Sequence, residues 1–309
     1  MESRARPPIG WEERPLRSLL FAPGNHPRKL EKVGTFGSDA IVLDLEDAVA
    51  DAEKEAARGM VRAALPTYTG RSIVFVRVNG ADTGRMEDDA RAVVCQDLDG
   101  IMVPKVERPA TLPELDALLG GLEREQGLPE GHVRLLALIE TALGLVRCEE
   151  IALAAPPRVL TLVFGLGDFS TDIGVDLTPD ATELVYGRSR VVVAARAARL
   201  PPALDGPYLD LQNVDGLVAD TLRSRQLGFQ GRVVVYPPQV EHVQRVYADL
   251  PEDEAERARR IVEAFEEAEA AGSASIQVDG RFVDYPIYER AKQKLRLYEA
   301  LRAESGSSP

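Results

Sequence analysis

Three acids stand within four positions behind an apolar run: DAIVLDLEDAV places Asp44, Glu46 and Asp47 directly after Ala40–Leu43. Like charges this close repel unless a cation or hydrogen-bond donors compensate them. Single charged groups close other apolar runs. Arg77 stands in FVRVNG, Lys105 in IMVPKVE, Glu140 at the end of RLLALIE, and Asp168 just behind VLTLVFGLG. Carboxylates with no His or Cys nearby suit a hard dication, Mg2+ or Mn2+, which takes one or two of them and fills its shell with waters and substrate oxygens. Glu140 has a second reading, as the cap of a helix beginning at Thr141. The acids from Asp44 to Asp47 have one too, as helix N-terminal charges that suit the macrodipole of AVADAEKEAAR; it accounts for Asp47 better than for Asp44. Arg77, inside a strand, must pair with carboxylates, either Asp44 and Glu46 or those of a substrate. Lys105 opens a different chemistry, because a buried lysine of lowered pKa can form a Schiff base in a metal-independent aldolase.

The elements that would position these groups follow from hydrophobic period and breakers. Short β-branched runs alternate with amphipathic stretches. Strands are expected at Ser18–Ala22, Ala40–Leu45, Ser72–Val78, Gly100–Lys105, Arg134–Glu140, Val159–Gly165, Pro202–Asp205 (weakest) and Arg232–Tyr236. Helices are expected between them, at Ala52–Ala64, Glu87–Gln96, Leu112–Glu125 and Val214–Leu227. Strand after strand followed by helix gives an α/β chain of the (β/α)8, TIM-barrel type, in roughly the usual ~250 residues. A doubly wound open sheet is less consistent, since no GxGxxG opens a helix near the start. In such a barrel the strands' C-terminal ends converge, so Asp44, Glu46, Asp47, Arg77, Asn79, Lys105, Glu140 and Asp168 would share one face. The expected division is a catalytic barrel over residues 1–250 and a C-terminal helical segment over 251–309. That segment holds a charged helix, Glu252–Ala271, then the glycine-punctuated AGSASIQVDGRFVDYP, and a last helix from Ile287 to about Arg302. It reads either as a helical cap or as a lid that carries a catalytic residue.

Composition narrows the classes of partner. At 309 residues the chain can bury a sizeable core, and 45% hydrophobic with 28% charged residues is ordinary for a soluble enzyme. A net charge of −13 argues against a nucleic-acid surface. An anionic ligand would need a local basic patch, and Arg28 and Lys32 in PGNHPRKLEK stand four apart on one helical face. A solvated face is the plainer reading of that pair. MESRARPPIG has no apolar core of a signal peptide, and no run approaches a membrane span, so a cytoplasmic protein is expected. Cys95 and Cys148, expected in helical segments without CxxC spacing, read as reduced structural thiols. Scattered His26, His132 and His242 disfavour a zinc site or a Ser-His-Asp triad.

These segments together resemble the citrate lyase beta-subunit-like family of the HpcH/HpaI aldolase/citrate lyase superfamily. The matching pieces are RSLLFAPGN, DAIVLDLEDAV with its Lys54–Arg58 continuation, FVRVNG, GIMVPKVE, LLALIETALGL, FGLGDFSTDIG, LDGPYLDLQNVDGL, LGFQGRVVVYPPQV and VDGRFVDYP, in order from Arg17 to Pro286. The family includes citrate lyase beta subunits and malyl-CoA, methylmalyl-CoA and citramalyl-CoA lyases. The resemblance implies Glu140 and Asp168 as ligands of Mg2+, with Arg77 (and Glu140 through the metal) binding the 2-oxo acid. It implies Glu46 and Asp47 as acids supporting metal waters and Arg77. Phe21, Arg28, Lys32 and the Tyr236–Pro237 region would contact CoA, and Asp284 would be the acid that a neighbouring subunit's lid places over the site. The implied activity is lysis or formation of a 3-hydroxy-carboxyacyl-CoA thioester by a homotrimer or hexamer, with no nucleic acid or membrane as partner. A carrier-protein thioester with dedicated partner subunits and a non-catalytic CoA-ester-binding barrel are the alternatives. The eighth strand departs from the family's IHP-like pattern: here it reads VVYPP, with Tyr236 at the histidine position.

Overall fold

The computed structural model of the chain describes residues 16–248 and 252–305. These fall into two compact units, residues 16–247 and, beginning at 248, a second that includes 252–305.

The first unit is a closed barrel of eight parallel strands in sequence order. Its opening half runs β1 (Ser18–Pro23), α1 (Pro27–Val33), β2 (Ala40–Asp44), α2 (Lys54–Ala64), β3 (Ile73–Arg77), α3 (Met86–Val93), β4 (Gly100–Val103) and α4 (Thr111–Glu125). The second half runs β5 (Arg134–Ile139), α5 (Ala142–Val146), α6 (Cys148–Leu153), β6 (Val159–Phe164), α7 (Leu166–Asp172), α8 (Val185–Ala197), β7 (Leu204–Asp205), α9 (Val214–Leu227), β8 (Gly231–Val234) and α10 (Gln239–Ala248). The strands are short runs of Val, Ile, Leu and Phe, buried on both faces as helix-covered parallel strands must be. β1 closes the ring, pairing Leu19 with Ala40 of β2 on one side and with Val233 of β8 on the other. A β-carbon on Gly231 would run into the backbone carbonyl of Leu16, so the closing strands meet where only glycine fits.

Six of the eight strands stop one or two residues before the expected limit, β7 ends at Asp205 as expected but begins two residues later, and β1 runs one residue past its limit. Lys105, Glu140 and Tyr236 therefore stand, like Glu46, on the loops that leave the strands and not within them. α3 ends at Val93, which puts Cys95 in a bend beyond the helix. It is buried like Cys148, and both thiols are free.

The second unit consists of α11 (Glu252–Ala270), an antiparallel hairpin of β9 (Ser275–Val278) and β10 (Arg281–Asp284), and α12 (Tyr285–Ser305). Its core is Ile261, Phe265, Val283 and Tyr288, with the Phe265 and Tyr288 rings stacked at 4.6 Å. The hairpin was not expected. Its turn is Asp279–Gly280, both left-handed at φ 51° and 75°, the pair of conformations that an Asp-Gly dipeptide supplies to a two-residue hairpin loop. Among the described residues no helix is long and apolar enough to cross a membrane.

Candidate active site

β2 and β3 lie in register, Asp44 beside Arg77, so the two side chains leave adjacent strand ends together. Arg77 donates from Nε and Nη2 to the two Asp44 oxygens, each at 2.7 Å. Its Nη1 forms an ion pair with Glu46 Oε2 at 3.0 Å without hydrogen-bond alignment, and that oxygen has no hydrogen-bond partner among the described residues. Both acids that the sequence offered to Arg77 are therefore taken. Asp44 also accepts the backbone N–H groups of Glu46 and Ala48 at 2.9 and 3.1 Å, which shapes the turn behind β2. Burial works against the charge of Arg77, but Asp44, Glu46 and Glu140 hold its pKa above that of an ordinary arginine. The Phe21 ring of β1 lies 5.1 Å from the guanidinium carbon, a cation–π contact. Two of the five guanidinium N–H groups are hydrogen-bonded, both to Asp44, so Nη1, beside Glu46, and Nη2 keep N–H groups for a ligand.

Lys105 follows β4 in a left-handed conformation, φ 49°, which costs a non-glycine residue about 1–3 kcal/mol. The turn gives it two functions. Its backbone N–H donates to Glu140 Oε1 at 2.9 Å, and its ammonium reaches Glu46 at 2.8 Å, Asp47 at 3.3 Å and Asp168 at 3.7 Å. Burial opposes its charge, yet Glu46, Asp47 and Asp168 raise its pKa above that of a free lysine. A Schiff base needs a neutral amine, so the aldolase reading of Lys105 fails on electrostatic grounds.

Glu140, just past β5, is 3% exposed. It is not a helix cap: Thr141 takes that place, accepting from Gly144 N–H at 3.0 Å. Burial, then Glu46 and Asp168, push the Glu140 carboxyl up to about 8, against the opposing pull of Arg77. The Glu46 pKa is raised as well, burial outweighing Arg77 and Lys105. Asp168 stands in the first turn of α7, after Gly165, where a β-carbon would overlap the Glu140 side chain. Phe21, Asp47, Arg77, Glu140 and Asp168 together line a cavity of about 230 Å³ at the mouth, with Leu138, Phe164, Gly206, Pro207 and Val233 among its other walls.

The donor chemistry fits a hard dication. Among the described residues, Asp44, Glu46, Asp47, Glu140 and Asp168 face only the Arg77 and Lys105 side chains as paired cations, and the neighbouring Glu46 and Asp168 charges add to burial in raising the Glu140 pKa. Among the described residues no group of three or more His, Cys, Asp or Glu forms a metal cage. Zinc would need such a group, whereas Mg2+ is held through one or two carboxylates and completes its octahedron elsewhere.

Four other predicted residues of the first unit lie outside this cavity. Arg28 and Lys32 are exposed on α1, and Tyr236 and Pro237 are half-buried in the turn after β8; none of them lines it. Asp284 ends β10 in the second unit and accepts, at 3.4 Å, from Ile287 N–H in the first turn of α12. Sequence reasoning passed over Lys54, which is 7% exposed and donates to the Leu45 and Glu46 carbonyls at 3.0 and 2.9 Å, fixing the acidic loop from beneath. No amphipathic spacing marks it, because it acts on backbone. Asn79, expected at the end of the third strand with Arg77, joins Leu45 O to the Asp89 carboxylate through its amide.

A model of the HpcH/HpaI aldolase/citrate lyase family matches residues 17–237. The chain is 40% identical over 289 residues to the citrate lyase subunit beta of Leuconostoc mesenteroides, covering 93% of this chain and 95% of that one. It is 36% identical over 296 residues to a (3S)-malyl-CoA thioesterase of Cereibacter sphaeroides, covering 96% and 99%. Among solved structures, protein CitE of Mycobacterium tuberculosis in complex with magnesium, acetoacetate and coenzyme A aligns with a TM-score of 0.74 and 27% identity, over 93% of this chain and 99% of that one.

Proposed function

Because the chain belongs to the HpcH/HpaI aldolase/citrate lyase family, we propose that it is a Mg2+-dependent carbon–carbon lyase. Its substrate is a 3-hydroxy-carboxyacyl-CoA thioester of the malyl-CoA or citramalyl-CoA kind, cleaved to, or formed from, a 2-oxo acid and an acetyl-CoA-type product. The observation that carries this reading is the convergence of Arg77, Glu140 and Asp168 on one mouth cavity whose acids outnumber its cations. The magnesium and coenzyme A bound by CitE of M. tuberculosis support the same cofactor and substrate class here.

Glu140 and Asp168 hold the metal, Mg2+ or Mn2+. When bound, the ion polarises the substrate's hydroxyl or carbonyl oxygen and makes its deprotonated form accessible at neutral pH. Arg77 directs its uncommitted N–H groups at the neighbouring carboxylate, and Asp44 and Phe21 keep the guanidinium plane fixed for that purpose. Glu46 and Asp47 anchor Lys105 and orient water around the metal carboxylates. In cleavage the hydroxyl proton passes to a water oriented by Glu46 and Asp47, the O–H electron pair forms the C=O of the 2-oxo acid, the bond from the hydroxyl carbon to the thioester α-carbon breaks, and its electron pair goes to the α-carbon as a thioester enolate. Asp284, supplied by a neighbouring copy's C-terminal lid (residues 251–309), protonates that carbon; in condensation it removes the same proton. Arg28, Lys32, Tyr236 and Pro237 receive the CoA arm. The enzyme works as a homotrimer or hexamer, and its two buried free cysteines suit the cytoplasm.

Malyl-CoA, methylmalyl-CoA and citramalyl-CoA, each incubated with Mg2+ and with EDTA and followed by chromatography, test this. Cleavage that EDTA abolishes supports the lyase. Release of free malate with CoA would instead support hydrolysis, the activity in the name of the C. sphaeroides relative. No turnover of any CoA ester would overturn the reading in favour of a carrier-protein thioester or a binding barrel.

A further inference from the structure

Four ionised side chains lie fully inside the first unit and outside the cavity just described. Arg188 of α8, Asp205 of β7, Asp220 of α9 and Arg232 of β8 are 0%, 0%, 3% and 0% exposed. Arg188 forks onto Asp220 with two bonds of 2.9 Å and meets Asp205 Oδ2 at 3.0 Å. Arg232 reaches Asp220 Oδ2 at 2.9 Å and Thr221 Oγ1 at 2.9 Å. Buried ion pairs of this kind do little for net stability compared with an apolar replacement, because desolvation offsets the attraction. Their remaining contacts point to another use. Arg232 Nε and Nη2 both donate to the Gly206 carbonyl, at 3.0 and 2.9 Å, and the Gly206 N–H is held by Asp205 Oδ1 at 2.9 Å.

Gly206 and Pro207 are walls of the active-site cavity. Both polar groups of Gly206 are spent on the buried network, and Pro207 has no N–H. A β-carbon on Gly206 would stand 2.7 Å from the Phe164 carbonyl and 2.9 Å from the Leu166 side chain, so the wall has no slack towards β6. With hydroxyl and carboxylate on the Arg77–Glu140–Asp168 side and the thioester arm leaving through the mouth, one substituent of the hydroxyl carbon remains to face the other wall. That wall offers contact and no hydrogen bond from Gly206 or Pro207.

We propose that Arg232 is a positioning residue: by holding the Gly206 carbonyl away from the cavity it fixes the Gly206–Pro207 wall, and so sets which substituent, hydrogen or methyl, the hydroxyl carbon of the substrate carries. The inference rests on the lyase reading for its turnover readout. A methyl-sized difference against a fixed wall is worth about 10- to 200-fold in selectivity. The test is Arg232→Lys in the full chain, which keeps a cation for Asp220 but cannot fork onto Gly206. The kcat/KM ratio of citramalyl-CoA to malyl-CoA should rise by about tenfold, mostly through KM. Calorimetric Mg2+ affinity should not change. The Kd ratio of pyruvate to glyoxylate, measured with Mg2+, should shift the same way without any turnover. Thr221→Val, which removes one Arg232 partner and spares the ion pairs, should shift both ratios in the same direction by less, and it stands in if Arg232→Lys does not fold. Unchanged ratios in folded variants that have lost thermal stability would overturn the proposal and leave the network purely structural. If the wild type cleaves neither ester, the lyase reading falls, and the Kd ratio alone decides the role of Arg232.

Discussion

Glu140 is the residue on which charge balance turns. Its carboxyl is raised from the ordinary value of 4.5 to about 8, so without metal the native state keeps a proton that the unfolded chain gives up. The sign follows from linkage: the native state binds more protons through that window, so the metal-free protein loses stability as pH rises from roughly 4.5 to 8. Thermal unfolding in EDTA should show that decline, whereas saturating Mg2+, which needs the carboxylate, should stabilise increasingly over the same range. A flat profile in EDTA would remove the buried-proton account. Arg77→Lys keeps the charge but loses the fork on Asp44, and kcat/KM should fall on the order of 100-fold with little loss of folded protein. The charged residues were legible in the sequence because each interrupts an apolar run, and that interruption is costly unless something compensates it. Gly165 and Gly206 were not legible, since they act through a missing β-carbon whose neighbours come from other strands.

At the scale of elements, the loop after β2 is the most closely determined piece of the mouth. Asp44 takes its backbone N–H groups and Lys54 of α2 takes its carbonyls. Lys54→Met would remove a charged donor from both carbonyls, leaving Leu45 O with the Asn79 amide and Glu46 O with the Val49 N–H, at a cost of about 1–3 kcal/mol. Denaturant unfolding should register the loss, and the Mg2+ affinity should weaken with it as Glu46 and Asp47 become mobile. A variant as stable as wild type would show that water replaces the ammonium freely. Strand order could be read in advance because β-branched runs alternate with amphipathic helices, whereas strand ends could not: they depend on pairing with neighbouring strands, which no local pattern encodes. The β9–β10 hairpin escaped notice since its strands have four residues each and mostly exposed side chains, although Asp279–Gly280 carried the turn signal.

For the molecule as a whole, the proposed role of Asp284 makes catalysis a property of the assembly. Arg77→Ala and Asp284→Ala should each be inactive, and mixing the two after subunit exchange should restore activity that neither has alone, because some sites then draw an intact barrel from one copy and an intact lid from another. Failure of complementation, with exchange verified by mass, would place the proton-transfer group elsewhere. Gly280→Ala, which forces a β-carbon into a left-handed turn, should destabilise the second unit by about 1 kcal/mol and should be seen as faster proteolysis there.

The barrel's last seam joins Ser18–Leu20 to Arg232–Val234. A growing chain therefore carries β1 with one hydrogen-bonding edge uncovered until more than two hundred later residues have been made. Every acid and cation of the mouth cavity is synthesised before that seam can form, since Asp168 precedes Gly231. Translation stalled between those two positions would release a chain that has every acid and cation of the mouth cavity but not Asp284, open along one side and exposed to pairing with its neighbours.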